Sequence, residues 1–149
     1  EFGFYAMNAL RLEKSFGVWS AEFTQDRTPG MTGMDRWIDW SRDNFIGHEA
    51  ASKERSGGDV PQQLVTLEID ADDADASGYE PIWQNDKRVG FVTSGGYGHY
   101  TAKSLAMGLL DTGVNEEDSP LMVDVVGKRR TARTLTEAAW EPKGIRRRV

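Results

Sequence analysis

"VGFVTSGGYGHY", residues 89–100, is the stretch on which the fold turns. A short apolar run from Val89 to Val92 opens into Gly95, Gly96 and Gly98, with an aromatic residue on either side of His99. A phosphate-binding loop needs glycines at set spacing, a lysine and a hydroxyl, and it must open a helix whose N–H groups face the anion. Neither GxxxxGK[ST] nor GxGxxG can be written here, and Lys103 stands too far on. The remaining reading is a strand that runs into a turn, with the glycines supplying positive φ between two strands.

The neighbouring segments agree with strands. "QLVTLEI" (63–69) alternates, placing Leu64, Thr66 and Glu68 on one side and Val65, Leu67 and Ile69 on the other. "PIW" and "RVGFVTS" flank "QNDK", and "LMVDVVG" and "RRTARTL" flank "GK", two hairpin signatures. "SLAMGLL" (104–110) fits helix or strand equally on periodicity. Short strands with regular turn signals predict a small antiparallel barrel or sandwich.

Upstream the pattern is helical and irregular. Tyr5, Ala9, Leu12 and Phe16 follow i, i+4, i+7, i+11 spacing, a helix stripe that leaves Arg11 and Lys14 off it. This helix has an apolar face and no preceding element to bury it against, so the sequence is expected to begin inside a larger protein. Residues 17–33 are connecting segments, and "MDRWIDWSRDNF" suggests a short strand or turn. Asp43 or Asn44 is expected to cap a helix through "IGHEAASKER", with Glu49 and Lys53 as an i, i+4 pair. "SGGD" breaks it and marks a domain boundary. The predicted class is mainly β with a few helices (α+β).

Composition narrows the function. The 149 residues are 38% hydrophobic and 10% aromatic, enough for a real core. No apolar run approaches the ~18 residues of a membrane span, and the N-terminus lacks the features of a signal peptide. Without cysteine, disulfides, thiolate metal sites and cysteine nucleophiles are excluded. A net charge of −6 disfavours nucleic acid and anionic membrane as partners. Acids crowd "IDADDADASGYE" while "GKRR" and "GIRRRV" are basic, and the basic end is expected to be solvated rather than polyanion-binding.

Chemical motifs are sparse. "DADASGYEPIWQ" from Asp73 imitates a calcium loop, but position twelve is Gln84 and strand-like runs flank it, so a solvated acidic loop is expected. His48 and His99 have no two-His ligand spacing, which argues against zinc, and no GxSxG nucleophile elbow exists. Trp19, Trp37, Trp40, Trp83 and Trp140 are expected to serve core packing, with stacking on a flat ligand as the alternative.

In order, "FYAMNALRLEKSFGVW", "TPGMTGM", "NFIGHEAA", "LVTLEIDADDADASGYEPIW", "VGFVTSGGYGHYTAKSLAMGLL" and "EPKGIRRRV" resemble the folate-binding C-terminal part of the dimethylglycine/sarcosine dehydrogenase group, which is related to the glycine-cleavage T-protein (aminomethyltransferase). "YAM" and the acids before "EPIW" tilt the resemblance toward dimethylglycine dehydrogenase. It implies the tail of a folate-binding domain at residues 1–57 and a C-terminal antiparallel β-barrel at 58–149, with tetrahydrofolate held between subdomains. The implied chemistry is transfer of a one-carbon unit to tetrahydrofolate. Dehydrogenase members first oxidise a small N-methyl amine on FAD carried by an N-terminal domain. That domain and the family's catalytic Asp lie outside these residues, so the chain alone is expected to be inert. Arg11 and Glu13 of "RLEK" and Tyr97 are the candidate folate contacts, and Arg11 and Glu13 fit a surface charge pair equally well. The chain departs from the T-protein pattern at Met7, where an Arg is expected, and at Met31, where a Glu is expected. A non-catalytic interaction or folate-binding module, and a folate-dependent demethylase of another methyl donor, are the competing readings. The resemblance implies a bacterial cytoplasmic or mitochondrial matrix location.

Overall fold

Six antiparallel strands close on themselves in the computed structural model, which describes residues 2–57, 60–117 and 119–148. The strands are β1 (Gln62–Ile69), β2 (Pro81–Gln84), β3 (Lys87–Gly98), β4 (Lys103–Asp111), β5 (Leu121–Val125) and β6 (Lys128–Leu135). Their order around the barrel is β1-β4-β3-β2-β5-β6, and β6 returns to β1 through pairs from Thr66↔Leu135 to Ile69↔Ala132. The two predicted hairpins are present: Asn85 and Asp86 join β2 to β3, and Val126 and Gly127 join β5 to β6. Among the described residues, closure leaves the six strands no free sheet edge.

The alternation in β1 sorts its side chains as the sequence suggests. Leu67 and Ile69, with Val65, enter the barrel core beside Ile82, Val92, Ala106, Leu121 and Val123. Leu64, on the opposite face, packs in a second cluster with Leu12, Leu105 and Met107. β4 is the segment that periodicity left open, and its ambiguity has a structural cause. Its inner face fills the barrel through Ala106 and Leu110 while its outer face, Leu105 and Met107, lies in the second cluster. A strand buried on both faces has no polar side to alternate.

Helix α1 (Phe4–Glu13) closes that second cluster with Leu12, which is fully buried. Ala9 and Leu12 of the expected stripe are buried, but Tyr5 is 90% exposed and Phe16 is half exposed. The barrel, which follows in the chain, lies under the C-terminal part of the helix and covers its apolar face there. Arg11, expected off the buried stripe, is itself buried.

The connecting region contains α2 (Pro29–Thr32) and a 3-10 turn (Asp35–Trp37) rather than a strand. Helix α3 (His48–Gly57) starts later than expected. Gly47, at φ 89°, takes a left-handed conformation that stops the helix from extending back, so neither Asp43 nor Asn44 caps it. The break expected after α3 falls on residues 58 and 59, outside the described residues.

The tryptophans depart furthest from expectation. Trp19 is 83% and Trp37 73% exposed, so neither serves the core. Trp83 and Trp140 are half-buried at the surface under Arg129 and under Lys14 and Arg146, where the ring face meets a cation.

Candidate functional site

The glycine stretch forms the floor on which α1 lies. Gly95, Gly96 and Gly98 are residues of β3 itself and not of the turn after it, a correction to the expected connection, while Gly96 does take the positive φ expected of it, at 155°. Their smallness matters as well. A Cβ on Gly96 would stand 3.3 Å from Asn8 Nδ2 and 3.5 Å from Leu12 Cδ1, and one on Gly98 would stand 3.0 Å from Glu13 Cγ. On Gly95 it would meet the Ala76 carbonyl oxygen at 2.3 Å. The track therefore admits a helix on one side and the acidic loop on the other. Asn8 fastens the contact, its Nδ2 donating to the Gly95 carbonyl at 3.1 Å.

Arg11 points into this junction. Its Nε and Nη2 donate to Asn8 Oδ1 at 2.9 and 2.7 Å, and its Nη1 to Glu22 Oε2 at 3.3 Å. Burial pulls the guanidinium pKa below its usual value, and Glu22 opposes that shift. Glu22 is fully buried. Its Oε2 also accepts the Val18 N–H at 2.9 Å, and its Oε1 accepts the hydroxyls of Thr93, at 2.6 Å, and Ser94. One carboxylate thus joins α1, the segment after it and β3.

Glu13 serves the next connection. Its Oε1 accepts the N–H groups of Tyr100 and Thr101 at 2.8 and 2.9 Å, which shapes the β3–β4 turn. Its backbone carbonyl accepts the Trp140 N–H. Arg11 and Glu13 are therefore not a surface charge pair: both are buried, and each has its own partners.

Tyr97 stands apart from these two. It is 40% exposed at the end of β3, its ring edge-on to His99 with centroids 5.2 Å apart. It borders a cleft of about 500 Å³ at that end of the barrel, together with Ser104, Lys103, Glu68 and Asp70. The structure brings Arg11 and Glu13 together on α1 and leaves Tyr97 at the barrel mouth.

At the departures from the T-protein pattern, Met31 is buried on α2 and Met7 is partly exposed on α1. The "TPGM" segment is held by Glu54 of α3, which accepts from the Thr28 hydroxyl and from the Gly30 N–H at 3.2 Å. Asp73 of the calcium-like loop pairs with Lys128 at 2.8 Å and with Arg130. His48 packs edge-on to Phe45 and meets Ser52. No three His, Asp or Glu side chains among the described residues form a group that could hold a metal. Asn8 and Glu22 carry the junction and sequence reasoning missed them, because nothing near Glu22 in the sequence marks it as buried.

The family described as the glycine cleavage T-protein C-terminal barrel domain matches residues 62–140. Over 137 residues, 91% of it, the chain is 37% identical to the mitochondrial dimethylglycine dehydrogenase of Homo sapiens, of which it covers 16%. It is 31% identical over 142 residues to the aminomethyltransferase of Desulfitobacterium hafniense (strain DSM 10664 / DCB-2), covering 95% of the chain and 38% of that protein. The crystal structure of glycine cleavage system aminomethyltransferase T from Bartonella henselae superposes with a TM-score of 0.80 at 22% identity, over 92% of this chain and 38% of that one. At that identity the likeness is one of fold.

Proposed function

The chain belongs to the glycine cleavage T-protein C-terminal barrel domain family, and from that premise we propose that it is the folate-region part of an enzyme passing a one-carbon unit to tetrahydrofolate. The observation that supports this is the reach of the similarity. It runs through 91% and 95% of the chain against a dimethylglycine dehydrogenase and an aminomethyltransferase, well beyond the barrel at residues 62–140. The higher identity is to the dehydrogenase, which favours a small N-methyl amine as the methyl donor. Residues 1–57 are then the end of the folate-binding domain and 58–149 the barrel domain. The location of such an enzyme is the bacterial cytoplasm or the mitochondrial matrix. No helix among the described residues is long and apolar enough to cross a membrane.

The residues present fit tetrahydrofolate in two different ways. Tyr97 offers a half-exposed ring for a flat ligand to lie against. Arg11 and Glu13 are committed to Asn8, Glu22 and the 100–101 turn, so their part is to hold α1 and the hairpin in place rather than to reach the ligand. The sequence contains no GxGxxG run, and in this reading FAD belongs to another domain. Tetrahydrofolate supplies the nitrogen that accepts the carbon unit, and this chain supplies surface and positioning. Assayed alone, it should turn over no methyl donor.

The test is a tetrahydrofolate titration followed by tryptophan fluorescence, on this chain and on the full product of its natural reading frame. Saturable quenching in the full product with none in the chain alone is the expected result. No response in either would overturn the folate reading.

A further inference from the structure

We propose that a second cleft, lined by the loop of residues 20–27 and by Tyr79 of the loop of residues 77–80, binds a phosphate monoester that carries a flat ring. This goes beyond the folate reading and does not depend on it. The cleft has a volume of about 510 Å³, with Phe91 and Thr93 of β3 in its lining. Loop 77–80 is pinned through its backbone. Glu80 accepts the Ser77 and Gly78 N–H groups, each at 2.8 Å, and the Tyr79 N–H donates to the Val92 carbonyl at 2.7 Å. Tyr79 is thereby held at φ 72°, a left-handed conformation that bulky side chains rarely adopt. The ring gains no packing in return. It is 85% exposed, and its hydroxyl has no hydrogen-bond partner among the described residues. Strain kept at a side chain that the fold does not use points to a binding role for that side chain.

The charges of the cleft fit an anion. Arg27 and Arg88 line it, and Asp26 is the one carboxylate in its lining among the described residues. Arg27 Nη1 donates to the Ala21 carbonyl and, at 3.0 Å, to the Glu22 carbonyl, and the guanidinium lies 5.8 Å from the centroid of the Phe91 ring. Those contacts fix the fork while leaving Nε and Nη2 without a partner among the described residues. Arg88 is exposed and has no carboxylate partner among the described residues, whereas Arg129, Arg130 and Arg133, the other arginines on the strands, each have one. In a chain of net charge −6 the cleft is therefore a local excess of positive charge. A phosphate monoester carries close to two negative charges at neutral pH, and guanidinium forks match its oxygens. The exposed hydroxyls of Tyr79 and Ser20 add donors, and the Tyr79 ring offers a face for the ester's own ring.

The experiment is an amide ¹H–¹⁵N NMR titration of the protein with phenyl phosphate, inorganic phosphate and phenol in turn. Phenyl phosphate is expected to shift the amides of Ser20, Tyr79 and Arg88 saturably, at a half-saturating concentration about fivefold below that of inorganic phosphate. Phenol should produce no saturable shift. Arg88→Gln, at an exposed position, should weaken both phosphates by about fivefold. Tyr79→Gly should bring phenyl phosphate down to the level of inorganic phosphate while leaving the urea midpoint equal or higher, because glycine adopts the left-handed conformation freely. Phenol binding as well as phenyl phosphate, or inorganic phosphate binding as well as phenyl phosphate, would overturn the proposal, as would the absence of saturable shifts. A lower urea midpoint for Tyr79→Gly would mean that the ring serves the fold, and would overturn it equally.

Discussion

Replacing Glu22 by alanine tests whether one buried carboxylate joins the N-terminal helix to the barrel. Glu22 is fully buried and accepts from Arg11, the Val18 N–H, Thr93 and Ser94. Thr93 has a second acceptor, the Met107 carbonyl at 3.0 Å, and so is not orphaned by the change. The Val18 N–H and the Ser94 hydroxyl are, each at about 1–3 kcal/mol if no water reaches them. Arg11 keeps Asn8 but loses its counter-charge, and breaking a buried ion pair from one side costs about 3–5 kcal/mol. These figures overlap, because the same cavity and the same relaxation serve all three groups. The expected loss is therefore about 4 kcal/mol, a large part of the roughly 5–15 kcal/mol that stabilises a folded domain. Urea unfolding measures it, followed by circular dichroism with the m-value checked for constancy. The pair Glu22→Leu with Arg11→Met removes both charges and should recover the part of the loss owed to the broken ion pair, but not the part owed to the Val18 N–H and the Ser94 hydroxyl, which still lack an acceptor. A loss below about 1 kcal/mol for Glu22→Ala would refute the reasoning, because it would mean that water or a rearranged Arg11 satisfies the junction.

Two further outcomes follow from the same geometry. Gly95→Val should cost about 2–3 kcal/mol in the same unfolding assay, because its Cβ would stand 2.3 Å from the Ala76 carbonyl oxygen and only a backbone shift relieves that. Burial alone would raise the pKa of Glu68, but the hydrogen bonds and charges of Lys103 and Arg133 outweigh it and hold it below the ordinary value of 4.5. A carboxylate lowered in the folded state stabilises the fold above its unfolded value, and the contribution fades as pH falls through the folded one. Glu68→Gln should therefore be less stable than the unmodified chain at about pH 6, and the difference should shrink toward zero near pH 3. A difference that persists at low pH would show that Glu68 acts by packing and not by charge.

Most of the barrel was legible because its signals are local. A two-residue alternation places Leu67 and Ile69 inward wherever the partner strands lie, and the turns at Asn85–Asp86 and Val126–Gly127 fix two hairpins from adjacent residues. The segments that misled are those whose burial depends on something distant. Trp19 and Trp37 have a composition that predicts a core and a position that provides none. β4 shows no alternation because α1, about a hundred residues earlier, covers its outer face.

By itself the sequence determined that 89–100 is not a phosphate cradle, that the C-terminal part is an antiparallel barrel or sandwich, and which family it resembles, the resemblance alone pointing to the barrel. Spacing, turn residues and segment order are properties of the chain before it folds. Tertiary structure decided what the glycines are for, that Arg11 answers to Glu22 and not to Glu13, and that Tyr97 shares a register row with Ser104. Asn8 meets Gly95 across 87 residues, and Glu22 meets Thr93 across 71. Contacts at that separation arise from strand register and helix docking, and neither leaves a periodic mark in the sequence around the residues that make them.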